Sequence, residues 1–345
     1  MNQQPGAVPL IPALAPSRVV VFRALQLGDM LCAVPALRAL RVALPHAHIT
    51  LVSLPWAAEF AKRFSKYVDE FIAFPGHPDF PEQAVQAHLL SEFYAGLRRR
   101  RFDLAIQLHG SGPQSNFITR AFGARFLIGH GSPARVPNER FVPYPEHGTE
   151  TQRLLGLLAA QGVPDHGPEL EFPITNDDQL ELARSGVAAR LAGRPYICIH
   201  PGTRNRDKCW HPARFAQVAD RLAEEFGVHI VLTGSASEAD LTATVAGYMR
   251  SSVTDAASSL SIGAMAVIFQ RSKLLVANDT GVSHIAAGLR LASVIVFTKA
   301  DMERWAPLNR QLHRCVQDPG GERAHEVAGH ARTLLLANLG GMKMT

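Results

Sequence analysis

The stretch RVVVFRALQLGDMLCAVPALRALRVALPHAHITLV, residues 18–52, opens on a β-branched run, Arg18–Phe22, and passes into a polar turn at Gln26-Leu27-Gly28-Asp29. From Met30 the apolar residues recur at three and four, the spacing of an amphipathic helix, until Pro45 stops it. Ile49-Thr50-Leu51-Val52 then reads as a second strand. A short apolar strand, a helix and another such strand indicate a parallel sheet covered on both faces.

The alternation continues outward. Strands are predicted at 71–74, 104–108 and 125–128, with helices near 82–101 and 150–161. Past 162 it breaks at Gly162-Val163-Pro164, Gly167-Pro168 and Pro173, and a helix over 177–191 leads to Gly193-Arg194-Pro195. It then resumes, with strands at 196–200, 228–233, 274–278 and 293–297 and helices at 212–226, 236–249, 260–270 and 281–289. A length of 345 residues also suits two domains. The expected division is a loose leader 1–17, a Rossmann-like domain 18–165, a linker 166–194 and a second Rossmann-like domain 195–345. The last helix is expected to pack back on the first half. The fold class is therefore α/β, two doubly wound domains facing an interdomain cleft, with ligands where strand C-termini meet helix N-termini.

Hydrophobic residues make up 47% and charged residues 19%, a globular balance, and the net charge is only +5. That mild excess suits an anionic ligand or an acidic membrane surface and is too small to argue for nucleic acid. No apolar run reaches the ~18 residues of a membrane span. The N-terminal segment lacks a basic n-region and is broken by four prolines, so it does not read as a secretory signal. The four cysteines form no C-x-x-C and the fifteen histidines no H-x-x-H or H-E-x-x-H. Reduced thiols, no metal site and a cytoplasmic location are expected.

Four segments could carry chemistry. After the strand ending at His200, Pro201-Gly202-Thr203 leads into Arg204, Arg206 and Lys208. Its main-chain N–H groups suit phosphate oxygens, with Lys208 as a mobile charge; a solvated basic loop before a Pro-initiated helix is an equal reading. Asn278-Asp279-Thr280-Gly281-Val282-Ser283-His284 joins an apolar strand to a helix of small residues. There Thr280 and Gly281 would meet an anion at the helix N-terminus, or Asp279 or Thr280 would simply cap it. For His284 alone, an interior histidine with its hydrogen bonds met is the simpler reading. Asp29 stands where a general base would be placed, although an N-cap explains it as well. Glu238, in Thr233-Gly234-Ser235-Ala236-Ser237-Glu238, can accept ribose hydroxyls or serve as a first-turn helix acid. Gly110-Ser111-Gly112-Pro113 is a poor dinucleotide fingerprint, and Arg98 to Arg101 reads as a solvated helix end.

In register, these segments resemble glycosyltransferase family 9, the ADP-heptose:lipopolysaccharide heptosyltransferases. The similarity runs from about 18 to 310. It includes LGDMLCAVPALRALR, FDLAIQLHGSGPQSNF, HPGTRNRDKCWHPARFAQVADRL, VLTGSASEADL, NDTGVSHIAAGL and RWAPL. The resemblance implies a GT-B fold and an inverting transfer that needs no metal or other cofactor. The nucleotide sugar would be held mainly by the second domain and an anionic glycolipid or oligosaccharide acceptor by the first. It implies that Asp29 is the base toward the acceptor hydroxyl and that Lys208 neutralises the departing diphosphate. Thr280 and Gly281 would donate to its phosphates and Glu238 would lie near the ribose. Thr203, Asp279 and His284 fall within matched donor-site motifs, and Arg120 and Arg125 are candidates to hold an anionic core. The chain departs from the family at TGSASE, where a T-G-G-P-type turn is common, and at Phe297-Thr298, where Phe-Gly is common. A different nucleotide-sugar donor or acceptor, an epimerase of the same fold and a non-catalytic nucleotide-binding scaffold are the competing readings. Work on a lipopolysaccharide core would bring the protein to the cytoplasmic face of the inner membrane.

Overall fold

Strands of the first sheet are β1 (Arg18–Phe22), β2 (His48–Ser53), β3 (Glu70–Ala73), β4 (Leu104–Gln107), β5 (Phe126–His130) and β6 (Glu139–Val142). Those of the second are β7 (Tyr196–His200), β8 (His229–Leu232), β9 (Val253–Asp255), β10 (Leu275–Asn278), β11 (Ser293–Phe297) and β12 (His313–Gln317). The structure, a computed structural model, describes residues 9–132, 136–191 and 193–340. The chain parts into two compact units between Pro168 and Glu169, with one sheet in each.

Both sheets are parallel. The first runs β3-β2-β1-β4-β5-β6 and the second β12-β11-β10-β7-β8-β9. In the first, Val20 of β1 faces Thr50 of β2 on one side and Ala105 of β4 on the other. In the second, Val276 of β10 faces Ile199 of β7 and Val294 of β11. Helices cover both faces, so Val19 to Phe22 and Ile197 to Ile199 have no exposed surface. That is why these strands show no polar alternation. Each such side chain contributes roughly 1.5–3 kcal/mol by leaving water.

The strands β6, β9 and β12, absent from the sequence reading, are edge strands. Each is covered less completely than the centre, so ERFV, VTD and HRCVQ mix polar with apolar residues and carry no strand signal.

Three boundaries differ from expectation. Leu10–Leu14 is a helix rather than loose chain, with Leu10 and Ile11 buried and the Ile11 N–H bonded to the Gln161 carbonyl at 3.1 Å. Proline-flanked apolar residues gain more by packing on that turn than by staying in water. The expected linker belongs largely to the second unit. Its helix splits into Asn176–Arg184 and Val187–Leu191 at Gly186, whose φ of +74° a helix cannot hold. Thr175 and Asp178 form a capping box at its start, and Glu181 accepts from the Ser261 N–H and hydroxyl, both at 2.6 Å. The last helix, Ala324–Gly340, packs on the helix Pro212–Phe226 and on β11 within its own unit, because Val327, Ala331 and Leu335 complete that core. Among the described residues no helix is long and apolar enough to cross a membrane. The four cysteines form no disulfide among the described residues, and burial pushes Cys32 and Cys198 up to about 12.

A close approach in the second unit gives a packing test. A Cβ added at Gly288 would lie 2.7 Å from the Glu171 carbonyl carbon and 2.9 Å from the Phe172 nitrogen, whereas one at Gly247 would meet nothing within 4 Å. Gly288→Ala should therefore cost about 1–3 kcal/mol in urea denaturation. Gly247→Ala, in the helix Ala239–Tyr248, should be neutral or stabilising by up to about 1 kcal/mol. Equal midpoints for the two variants would mean that 171–172 does not pack against Gly288, at the end of the helix Gly281–Gly288.

Candidate active site

In each sheet the winding reverses once. The first unit steps from β1 to β2 to β3, then restarts beside β1 with β4; the second steps from β7 to β8 to β9, then restarts beside β7 with β10. Loops diverge at such a reversal and leave a crevice at the strand C-terminal ends, where ligands bind in open α/β sheets. Asp29 and the predicted residues of the second unit lie on segments that follow strands at these two places; Arg120 and Arg125 do not.

In the first unit Asp29 lies at the third position of the short helix Leu27–Cys32, whose N-cap is Gln26, so capping is not its role. It is partly exposed, and among the described residues its carboxylate takes no partner. Its backbone is held firmly. Arg23, one residue past β1, is buried; its Nε donates to the Asp29 carbonyl at 3.0 Å and its Nη1 to the Leu108 carbonyl after β4. Arg23 Nη2 pairs with Glu150 at 3.0 Å, both side chains almost fully buried. Removing one member of such a pair strands the other charge, so this clamp is costly to break. Nothing in the sequence pattern marked Arg23, since one arginine after an apolar strand looks like a surface residue.

Arg120 does not present a free charge. Its guanidinium forks onto Glu139, Nη2 to Oε2 at 2.8 Å and Nε to Oε1 at 2.5 Å. Arg125 is exposed, over the Phe126 ring at 5.3 Å.

In the second unit, three of the predicted segments converge on the β7 and β10 ends. The organiser is Asn278, the last residue of β10 and fully buried. Its Nδ2 donates to the Pro201 carbonyl at 2.6 Å, and its Oδ1 accepts the Trp210 N–H at 2.9 Å. One amide thus fixes both ends of the loop 201–210. Inside the loop, the Thr203 hydroxyl donates to the Asn205 carbonyl, and Arg206–Lys208 form a 3-10 turn. Lys208 is half-exposed, and its carbonyl accepts from the Thr298 hydroxyl at 2.8 Å. The residue that departs from the family's Phe-Gly therefore pins the lysine backbone. A cavity of about 520 Å³ borders the loop, lined in part by Arg206, Trp210, Thr298 and Lys299.

Glu238 meets the same loop. Its Oε2 accepts from the Ser235 N–H and hydroxyl, each at 2.8 Å, the capping box of its own turn. Its Oε1 lies 2.0 Å from where a Cβ on Gly202 would be, so a side chain there would displace the Glu238 carboxylate. His200 is buried behind it with Nδ1 3.1 Å from the Thr233 hydroxyl. Burial pushes its imidazole down to about 4, against the opposing charge of Glu238.

Thr280 is the N-cap of the helix Gly281–Gly288, yet its hydroxyl makes no cap bond. Its carbonyl accepts from the Ser283 hydroxyl at 2.7 Å. The N-terminal end of this helix, partly exposed at Gly281, carries the positive end of its dipole next to the basic loop. The Asp279 N–H continues the sheet by donating to the Val296 carbonyl at 2.9 Å. His284 is an interior residue, buried edge-to-face against Trp305 at 6.5 Å. Among the described residues no three His, Cys, Asp or Glu side chains cluster as a metal site would require.

Two Rossmann-like units in one chain, each with one winding reversal in a parallel six-stranded sheet, are the GT-B architecture. Solved structures share it: glycosyl transferase family 9 from Veillonella parvula DSM 2008 matches at TM-score 0.78 and 19% identity, covering 93% of this chain and 98% of that one. E. coli heptosyltransferase WaaC with ADP matches at TM-score 0.67 and 20% identity, covering 93% and 99%. Lipopolysaccharide heptosyltransferase 3 of Escherichia coli (strain K12) is 24% identical over 297 residues, 83% of each chain. The sequence profile of Glycosyltransferase family 9 (heptosyltransferase) matches residues 91–328. The chain belongs to glycosyltransferase family 9 and is a glycosyltransferase.

Asn278 supplies the test of this assembly. Asn278→Asp keeps the shape but sets a carboxylate oxygen against the Pro201 carbonyl, so the loop should detach. If the loop holds the diphosphate, nucleotide affinity is expected to fall about tenfold or more, since the displaced Lys208 would give up a charge-assisted contact worth roughly 1.5–3 kcal/mol. Isothermal titration with ADP, beside a melting curve for the fold, checks it. Unchanged affinity would separate the Asn278 bonds from nucleotide binding.

Proposed function

We propose that the protein is an inverting, metal-independent transferase that moves heptose from ADP-heptose to a lipopolysaccharide core or related surface glycan. The observation that carries this is the pairing, at one winding reversal, of the Lys208 loop with the N-terminus of the helix Gly281–Gly288. Both supply positive potential where a diphosphate would gain charge.

Asp29 takes the proton from the acceptor hydroxyl. That oxygen attacks the anomeric carbon from the face opposite the diphosphate, the anomeric C–O bond breaks, and ADP departs with the electron pair. Lys208 and the main-chain N–H groups at Thr280 and Gly281 meet the negative charge that grows on ADP. Preorganisation matters here: the Thr298 and Asn278 bonds hold these donors before the bond breaks, so little reorganisation accompanies the reaction. Glu238 lies against Gly202 at the loop start, where its free oxygen can accept from ribose. The acceptor class places the enzyme at the cytoplasmic face of the inner membrane. A family 9 transferase using another nucleotide sugar is favoured by one feature, the TGSASE turn, whose Ser235–Glu238 box occupies the segment next to the proposed ribose.

Two variants test the roles. Asp29→Asn should lower kcat by about a hundredfold or more while ADP affinity stays within twofold of wild type. Lys208→Ala should lower both ADP affinity and rate by about tenfold or more. Transfer from ADP-heptose to truncated lipopolysaccharide and ADP calorimetry read these effects. Near-normal turnover by Asp29→Asn would remove its assignment as base.

A further inference from the structure

His109 follows β4 at the winding reversal of the first unit, where the proposed mechanism leaves it without a role. Its Nδ1 accepts the backbone N–H of Ala24 at 3.0 Å. An amide N–H can only donate, so Nδ1 carries no proton and the neutral ring must hold its hydrogen on Nε2. The fold therefore selects the tautomer. It also fixes the ring plane: the imidazole stacks on Phe80, with centroids 4.3 Å apart at 20°, and on Phe22, 5.0 Å apart at 17°. The His109 N–H is held by Gln107 Oε1 at 2.7 Å.

The Nε2 atom has no partner among the described residues and, unlike Nδ1 of His130, it is not sealed from solvent. His109 itself is half-buried. The carbonyls of Leu108 and Asp29 share the Arg23 guanidinium, so the segment carrying His109 and the Asp29 helix are held at one place. An oriented donor left without a protein partner, on a segment tied through Arg23 to the Asp29 backbone, has the form of a substrate contact.

We propose that His109 donates a hydrogen bond from Nε2–H to a sugar oxygen of the acceptor and so sets the orientation in which its hydroxyl meets Asp29. This rests on the reading of the first unit as the acceptor site. His109 is not a second base, since Nδ1 is occupied and Nε2 is already protonated. Burial, with the nearby Arg23 charge, pushes the imidazole down to about 3, so the donor stays neutral across the working pH range.

Two substitutions divide the ring by function. The Oδ1 of Asn stands near the Nδ1 position and can keep the Ala24 contact, whereas the Nε2 amide of Gln stands near the Nε2 position and keeps the outward donor. His109→Asn should raise the acceptor KM about tenfold or more while the donor KM stays within twofold. His109→Gln should return the acceptor KM to within about threefold of wild type. A purely structural role predicts the reverse order, with both substrates affected alike. Calorimetric titration of the ADP-loaded protein with truncated lipopolysaccharide oligosaccharide reads acceptor binding without turnover, and melting curves confirm the fold. Should the Gln variant fail to fold, the Asn variant still decides. A His109→Asn protein that binds acceptor like wild type overturns the proposal alone. A wild-type protein that neither binds nor glycosylates the acceptor overturns the functional reading and the His109 contact with it.

Discussion

Where a parallel sheet reverses its winding, two neighbouring strands end side by side and their chains leave in opposite directions. The backbone groups at that point have no ladder to join, and unpaired buried polar groups cost roughly 1–3 kcal/mol each. Both units meet this constraint with one buried polar side chain. In the first, the Arg23 guanidinium gathers the carbonyls of Asp29 and Leu108 and is balanced by Glu150. In the second, the Asn278 amide gathers the Pro201 carbonyl and the Trp210 N–H. These bridges close the strand ends and set the loops to which the proposed mechanism assigns the chemistry.

The two bridges differ in a way that suits their crevices. A guanidinium in the first unit places a positive charge beneath the Asp29 backbone, balanced by a carboxylate on the far side. A neutral amide in the second adds no net charge beneath the loop, so the potential there comes from Lys208 and the helix end. Further bonds stiffen that loop from outside: Thr298 to the Lys208 carbonyl, and Trp210 Nε1 to Asp318 at 2.8 Å. On the proposed mechanism, a basic loop held from several sides would give a leaving diphosphate fixed partners in place of mobile water.

Much of this was legible in residues 18–52 and 196–200, because strands buried on both faces must be apolar throughout. The turn sequences at 201–208 and 278–284 announced themselves by small residues and charge at strand-to-helix junctions. Other features lay beyond local pattern. The edge strands β6, β9 and β12 carry no full apolar run, since only one neighbour and partial cover constrain them. Arg23 and Asn278 read as ordinary polar residues after a strand, and only the sheet order shows what each one ties together. The fork of Arg120 onto Glu139 joins residues nineteen apart across a helix and a strand, so its charge looked free in sequence. Thr298 looked like a departure from family pattern, and its bond to Lys208 is visible only in three dimensions.

The central claim is that the β7–β10 crevice binds an adenine nucleotide diphosphate through protein charges alone. Isothermal titration of the wild-type protein with ADP and with UDP, each in EDTA and again in Mg²⁺, tests it most directly. The account predicts ADP binding at least tenfold tighter than UDP, with the same affinity in both buffers. Binding that appears only with Mg²⁺, or that favours UDP, would contradict it.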